Sequence, residues 1–441
     1  MNNSNGFRMT EIGLLPEDWE VKKLNQLFEI QQGKALSPKH RRGISPYPFL
    51  RTSNVYWGRI DLTNLDYMDF STEEVDKMAL RTDDLLICEG GDIGRTAMWS
   101  GQIKKCCYQN HLHRLRPLRK NEAFPKFFMY WMQASMLLLG LYVGAGNKTT
   151  IPNLSRARLG EFQLPLPFFS EQQKIASVLS AVQEAKEKTE NVIKALKEFK
   201  KSMMKHLFTY GPVPYPPSSP LNKGGIEGGV PLKETEIGMI PEHWEVSMLG
   251  KYCKVLTGGT PKTKVKEYWL PAEIPWMKSG EIQGSVITKI DTYISKKGLE
   301  NSNARLLPKN TVVIALAGRG KTRGTTAILK TECACNQSVA CMISNEQLHY
   351  YYLHYYLSFI YVYIRNLTGD KDRSGLNLQI IQRIPLILPP LTEQHQIAES
   401  LSAIDKKIEA ENTKKNSLEA LFKTLLSLLM TGKIRVKDLD I

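Results

Sequence analysis

Apolar residues recur at heptad spacing in two long stretches of the chain. The first carries Ile175, Val182, Thr189, Leu196 and Met203 at one position, with Val178, Ala185, Val192 and Phe199 three residues on. The second carries Ile397, Ile404, Glu411, Leu418 and Leu425, flanked by Leu401, Ile408, Phe422 and Leu429. A stripe sustained over about five heptads predicts a helix of about 38 residues, about 57 Å long, that needs a partner helix. Thr189 and Glu411 occupy matching positions in the two stripes and interrupt both. Ser170 and Thr392 stand directly before Glu, with Gln following, in S-E-Q-Q and T-E-Q-H, which predicts them as N-caps of capping boxes. Short apolar runs such as L-L-I-C (85–88) and T-V-V-I-A-L (311–316) predict strands followed by Gly-rich loops. Residues 127–146 are long and uncharged, but Gln133, Ser135 and three glycines fit a buried helix and loop better than a membrane span. Residues 211–231, rich in Pro and Gly, have no apolar periodicity and predict an exposed connector.

The chain also repeats itself. T-E-I-G-L-L-P-E-D-W-E-V at Thr10 to Val21 returns as T-E-I-G-M-I-P-E-H-W-E-V at Thr235 to Val246. P-F-L-R-T-S-N-V from Pro48 matches P-W-M-K-S-G-E-I from Pro275, and L-P-F-F-S-E-Q-Q-K-I-A from Leu166 matches L-P-P-L-T-E-Q-H-Q-I-A from Leu388. A period this long means a duplicated domain rather than a solenoid. The expected organisation is a mixed α/β globular domain over 10–169, a long helix over 170–208 and a connector over 209–234. A second domain over 235–391 and a second long helix over 392–430 complete it.

Composition narrows the function. The 441 residues are 42% hydrophobic and 23% charged, which suits two or three folded cores. Seven cysteines include no C-x-x-C pair, so reduced, mostly buried thiols are expected rather than a zinc site. The opening M-N-N-S-N-G-F-R-M lacks the apolar core of a signal peptide, and a cytoplasmic location is the expectation. Of the net charge of +15, +4 lies on residues 10–170 and +7 on residues 235–392. A basic excess on folded blocks favours a polyanionic partner such as nucleic acid.

No catalytic constellation accompanies that charge. G-R-G-K-T at Gly318 to Thr322 resembles a phosphate loop but lacks its first glycine, position 315 being Ala. E-D-W-E-V-K (17–22) is too tightly spaced for a nuclease centre, and its second copy has Ser247 in place of the lysine. His111 and His113 have no carboxylate partner near them in sequence and read as structural. No N-P-P-[FYW] and no glycine motif for S-adenosylmethionine occur. What remains is a pair of polar, glycine-permissive loop sets, in which side-chain donors can reach phosphates and base edges. In the first half these are Arg51, Thr52, Ser53, Asn54, Arg95, Asn147 and Lys148; in the second, Lys278, Ser279, Arg319, Lys321, Arg323, Lys371 and Arg373. No metal ligands are expected.

E-I-G-x-x-P-E-x-W-E-V opening each block and L-P-x-x-[ST]-E-Q-x-x-I-A closing it resemble the specificity (S) subunit of Type I restriction-modification systems. The resemblance covers nearly the whole chain, twice. It implies two target recognition domains, each followed by a helix, with the helices paired as an antiparallel coiled coil. It also implies a non-catalytic chain that reads a split, asymmetric sequence in double-stranded DNA. Its partners would be two methyltransferase (M) subunits, which hold the S-adenosylmethionine for adenine methylation, and restriction (R) subunits, with no cofactor on this chain and no membrane. The competing readings are an architectural coiled-coil DNA-binding protein and a stand-alone methyltransferase with unrecognised motifs.

Overall fold

The computed structural model describes residues 6–37, 43–142, 154–213, 230–318, 322–368 and 375–436. It divides into two compact units, one of residues 1–190 and 413–441, the other of residues 191–412.

In the first unit a four-stranded antiparallel sheet runs Thr96–Met98, Leu85–Cys88, Leu112–Pro117, Phe28–Gln32. Beside it, Pro46–Leu50 pairs in parallel with Cys107–Tyr108 and antiparallel with Asp66–Asp69. All four residues of Leu85–Cys88 are buried, which is why that strand reads as an unbroken apolar run. The aromatic stretch forms the helix Pro125–Leu137, whose Phe127, Phe128, Trp131 and Met132 are buried in the core of the unit. It is 13 residues long, and no helix among the described residues is long and apolar enough to cross a membrane.

The second unit repeats this plan around a five-stranded sheet in the order Cys253–Thr257, Val339–Ser344, Val312–Ala315, Thr326–Leu329, Val286–Ile287. Ile274–Met277 pairs in parallel with Ala334–Cys335 and antiparallel with Tyr293–Ile294, as its counterpart does in the first unit. The helix Tyr350–Phe359 supplies buried Tyr352, Leu353, Tyr355, Tyr356 and Leu357 to the core.

The motifs that open and close each block are partners in space. Glu20–Lys23 pairs antiparallel with Gln163–Leu166, and Glu245–Met248 with Pro385–Leu388. The long helices run Phe169–Tyr210 and Leu391–Met430, and each gives one stretch to each unit. In the first unit Ile175, Ala176 and Leu179 share a core with Phe422, Leu426, Leu429 and Met430. In the second, Leu207 and Phe208 share one with Ile397, Leu401 and Ile404. The low-numbered end of one helix thus meets the high-numbered end of the other, an antiparallel pair.

Two details of the helices differ from the sequence expectation. Ser170 and Thr392 lie inside their helices and are not N-caps, because the carbonyl of Phe168 already accepts from Glu171 and Gln172, and that of Pro390 from Glu393 and Gln394. The Gln side chains do not close capping boxes; Gln172 donates to the carbonyls of Glu122 and Pro167 and accepts from the Phe124 N–H. Gln394 repeats this with Gln347, Pro389 and His349. The stripe also drifts: Val192 and Phe199 are exposed (42% and 43%), while Ile193 is buried. A straight helix turns by about 20° per heptad relative to a strict 3.5-residue repeat, so the buried seam moves to the next residue. Thr189 is buried with its hydroxyl donated to the Ala185 carbonyl, and Glu411 pairs with Lys407 at 2.9 Å.

Candidate nucleic-acid interface

Each unit ends its parallel strand pair in the same device. After Pro46–Leu50 the chain turns through a short 3-10 helix, Thr52–Asn54, and after Ile274–Met277 through another, Ser279–Glu281. The third residue of each turn folds back to accept from the backbone N–H that precedes it: Asn54 Oδ1 from Arg51 at 2.8 Å, Glu281 Oε2 from Lys278 at 2.6 Å. Asn54 also donates to the carbonyls of Asp61 and Asn64 at 3.0 Å and is 4% exposed. Its amide is therefore spent on holding the turn. Arg51 and Ser53 remain on the outside in the first unit, as Lys278 does in the second. Arg51 is held by Asp66 at 2.6 Å with both side chains nearly half exposed, whereas the Lys278 ammonium lies 5.6 Å from the centre of the Trp276 ring.

The neighbouring loop, after Leu85–Cys88, packs onto the first turn. Arg95 donates to the Thr52 carbonyl at 3.1 Å, pairs with Asp92 at 3.3 Å and covers the Tyr56 ring, so this mostly buried guanidinium braces the turn. Arg59 covers the same ring at 4.8 Å. Burial pushes the Cys88 thiol up to about 11, so it stands protonated beside the Thr52 carbonyl, 4.0 Å away. Gly94 and Gly324, at φ +83° and +85°, stand two residues before the return strands of the two units in a conformation that other residues adopt at a cost. Gly33 and Gly258 serve a second need, since a Cβ on them would lie 2.3 Å from the Tyr108 carbonyl oxygen and 1.8 Å from that of Cys335. Only glycine lets those strand ends approach.

Arg323 is half-buried, and its carbonyl accepts from Arg365 at 3.4 Å. Asn147, Lys148, Arg319, Lys321, Lys371 and Arg373 lie outside the described residues, as does most of the G-R-G-K-T segment. His113 is fully buried with Nε2 on the Leu154 carbonyl at 2.9 Å, and burial lowers its pKa, so the ring is neutral and structural. All seven cysteines are free and buried. Among the described residues no group of three or more His, Cys, Asp or Glu could hold a metal ion.

Sequence reasoning missed Tyr56, Arg59, Gln32 and Glu89. Gln32 ends one strand and Glu89 follows another, 57 positions apart, and only the sheet register brings them together, with Gln32 opposite His113 and Ile87 opposite the same histidine. A basic-aromatic reading of R-T-S-N-V-Y-W-G-R would have found the first two.

The profile of the Type I restriction modification DNA specificity domain family matches residues 16–198 and again 241–420. The chain is 30% identical over 439 residues to a putative type I restriction enzyme MjaX specificity subunit of Methanocaldococcus jannaschii, covering 98% of this chain and 97% of that one. It is 26% identical to the MjaVIII specificity subunit of the same organism over 97% of this chain and 95% of that one. The fold is that of the S subunit of the M. genitalium type I restriction-modification system, with a TM-score of 0.59 at 15% identity over 97% and 98% of the two chains. With both halves matched in tandem and the relatives matched end to end, the chain belongs to the family of type I restriction-modification DNA specificity subunits.

Proposed function

We propose that each unit of this DNA specificity subunit reads one part of a split, asymmetric sequence in double-stranded DNA. The chain then directs adenine methylation by two methyltransferase subunits and, in the full complex, cleavage by restriction subunits. The observation that carries this reading is the repeated capped turn, which offers a cation from the same frame in both units, Arg51 in one and Lys278 in the other, amid different neighbours. Equivalent frames with different side chains favour two unlike half-sequences over a palindrome. The candidate contacts are Arg51, Thr52, Ser53, Lys278 and Ser279, with Arg95 bracing the first turn. Asn147, Lys148, Arg319, Lys321, Arg323, Lys371 and Arg373 join them on sequence grounds. S-adenosylmethionine belongs to the methyltransferase partner, the chain itself carries no cofactor, and the complex works in the cytoplasm.

The test exchanges residues 45–160 for the matching segment of another specificity subunit and sequences methylated adenines in cells that also express the methyltransferase subunit. One half-sequence changes and the other is kept. A change in both halves would overturn independent reading.

A further inference from the structure

Gln32 is the exposed last residue of the strand Phe28–Gln32, and it bonds Glu89, the residue after Cys88, whose thiol faces the Thr52 carbonyl in the turn that follows Arg51. Its amide nitrogen lies 2.9 Å from Glu89 Oε2 and 2.9 Å from the Asn110 carbonyl oxygen. The Asn110 carbonyl can only accept, so the group that faces it and Glu89 has to be the NH2, and the carbonyl oxygen Oε1 is turned away from them. Glu89 is 5% exposed, and its backbone N–H donates to the His111 carbonyl at 2.9 Å. The ring of the neutral His113 lies 4.0 Å from its carboxylate. Lys34 and Arg95 do not serve it: Lys34 is held by Glu74 and the Asp69 carbonyl, and Arg95 by Asp92 and the Thr52 carbonyl. A nearly buried carboxylate bonded to an exposed amide fixes the orientation of that amide.

We propose that Gln32 is a base-reading residue of the first half-sequence, a fixed acceptor for the major-groove amino group of adenine or cytosine, and that Glu89 is its positioning residue. A glutamine free to rotate offers either a donor or an acceptor and reads either kind of base edge. One whose NH2 is held inward offers only the acceptor, which matches adenine N6 or cytosine N4 and repels the oxygen of thymine or guanine. This assignment rests on the reading that this end of the unit faces DNA.

The experiment uses the complex with its methyltransferase subunit and a duplex library randomised in the first half-sequence and fixed in the second. Replacing Gln32 by Met (Q32M) keeps the length and removes the acceptor; discrimination at one position then falls by about tenfold, and the others stay as they were. At that position the adenine is next replaced by purine, or the cytosine by 2-pyrimidinone, which removes only the amino group. The wild-type complex then binds about tenfold more weakly and the Q32M complex is unaffected. Glu89→Gln, which can donate to Oε1 and release the amide, relaxes the same position. An unchanged selection with Q32M, or an amino deletion felt equally by both complexes, overturns the proposal. An unchanged selection with Glu89→Gln overturns the positioning role. The fixed second half-sequence reports folding and assembly in every case. If the exchange of residues 45–160 alters the first half-sequence while Q32M does not, only this inference fails; if neither does, the DNA-facing reading fails with it.

Discussion

The indole of Trp19 donates to the carboxylate of Glu171 at 3.1 Å, joining the motif that opens the first block to the one that closes it. Trp244 and Glu393 repeat the contact at 2.8 Å in the second unit. In the first unit Arg435, beyond the second long helix, adds bonds to Glu171 at 2.7 and 2.9 Å and a two-bond contact to Asp18 at 2.8 and 2.7 Å. The second unit has His243 where the first has Asp18, and it bonds Glu393 directly at 2.8 Å. Arg435→Ala leaves the mostly buried Glu171 with the indole alone, and a cost of about 2–3 kcal/mol is expected. Trp19→Phe should cost about 1 kcal/mol. Urea unfolding of the two variants checks the order; a milder effect for Arg435→Ala than for Trp19→Phe would show that the charge cluster contributes little.

Asn54 is expected to matter for the shape of the turn and Ser53 for its surface. Asn54→Ala removes three bonds and should destabilise by about 2 kcal/mol while weakening recognition of the first half-sequence. Ser53→Ala should leave stability within about 0.5 kcal/mol. Arg51→Ala, if the side chain meets only phosphate, should weaken binding alike across sequences and reduce the salt slope by about 1. Melting curves and DNA binding at two salt concentrations separate the three.

The frame was legible in the sequence because duplication prints the same motif twice. W-E-V and L-P-x-x-[ST]-E-Q recur because each forms one strand and one latch in each unit. The site was less legible for a physical reason. Arg51 and Asn54 are three residues apart and equally polar, yet one stays outside while the other is consumed by three backbone partners. Only the fold shows which carbonyls surround an amide. Gln32 and Glu89 lie beyond any local pattern, since the sheet register brings them together. The helices read well in extent and less well in phase, because a heptad count cannot follow the drift that exposes Val192 and buries Ile193.

Acid should weaken the second unit through His354. This ring is 3% exposed, bonded through Nδ1 to Thr326 at 3.0 Å, and burial, with Lys200 nearby, lowers its pKa to about 4. Below the ordinary value of 6.5 the unfolded chain takes up a proton that the folded chain does not. Stability should therefore fall with decreasing pH from about 6.5 to about 4, by up to about 1.4 kcal/mol per pH unit from this group. His354→Gln should reduce the slope over that range and leave the share due to His349, whose pKa burial also lowers to about 4. Denaturant midpoints between pH 7 and pH 4.5 give the slopes; equal slopes for the two proteins would assign the acid sensitivity elsewhere.

The thiols should be silent in the native state. All seven cysteines are free and buried, and burial pushes those of Cys106, Cys107, Cys253 and Cys333 up to about 12. Little thiolate then exists at pH 8, and what exists is shielded. A thiol reagent should modify fewer than about one cysteine per folded chain and all seven after unfolding. Rapid modification of several would mean that the cores open readily.

The paired glutamines give the sharpest test of the repeat. Gln172 and Gln394 are nearly fully buried, and each donates to two backbone carbonyls and accepts from one N–H, all within its own unit. Glutamate at either position keeps the shape but turns an anionic oxygen towards two carbonyls that have lost their donor. Methionine removes the polar group and leaves the three backbone groups unpaired without adding a charge. Gln172→Glu is therefore expected to cost more than Gln172→Met at pH 7, each by about 2 kcal/mol or more, with the gap narrowing as acid neutralises the new carboxyl. The same order should hold for Gln394. Because neither residue shares a partner with the other, the double variant Gln172→Met with Gln394→Met should show the sum of the single effects to within about 0.5 kcal/mol. Chemical denaturation of the wild type and the five variants, read at pH 7 and pH 5, measures all of this; a coupling larger than about 1 kcal/mol would mean that the two latches are not independent.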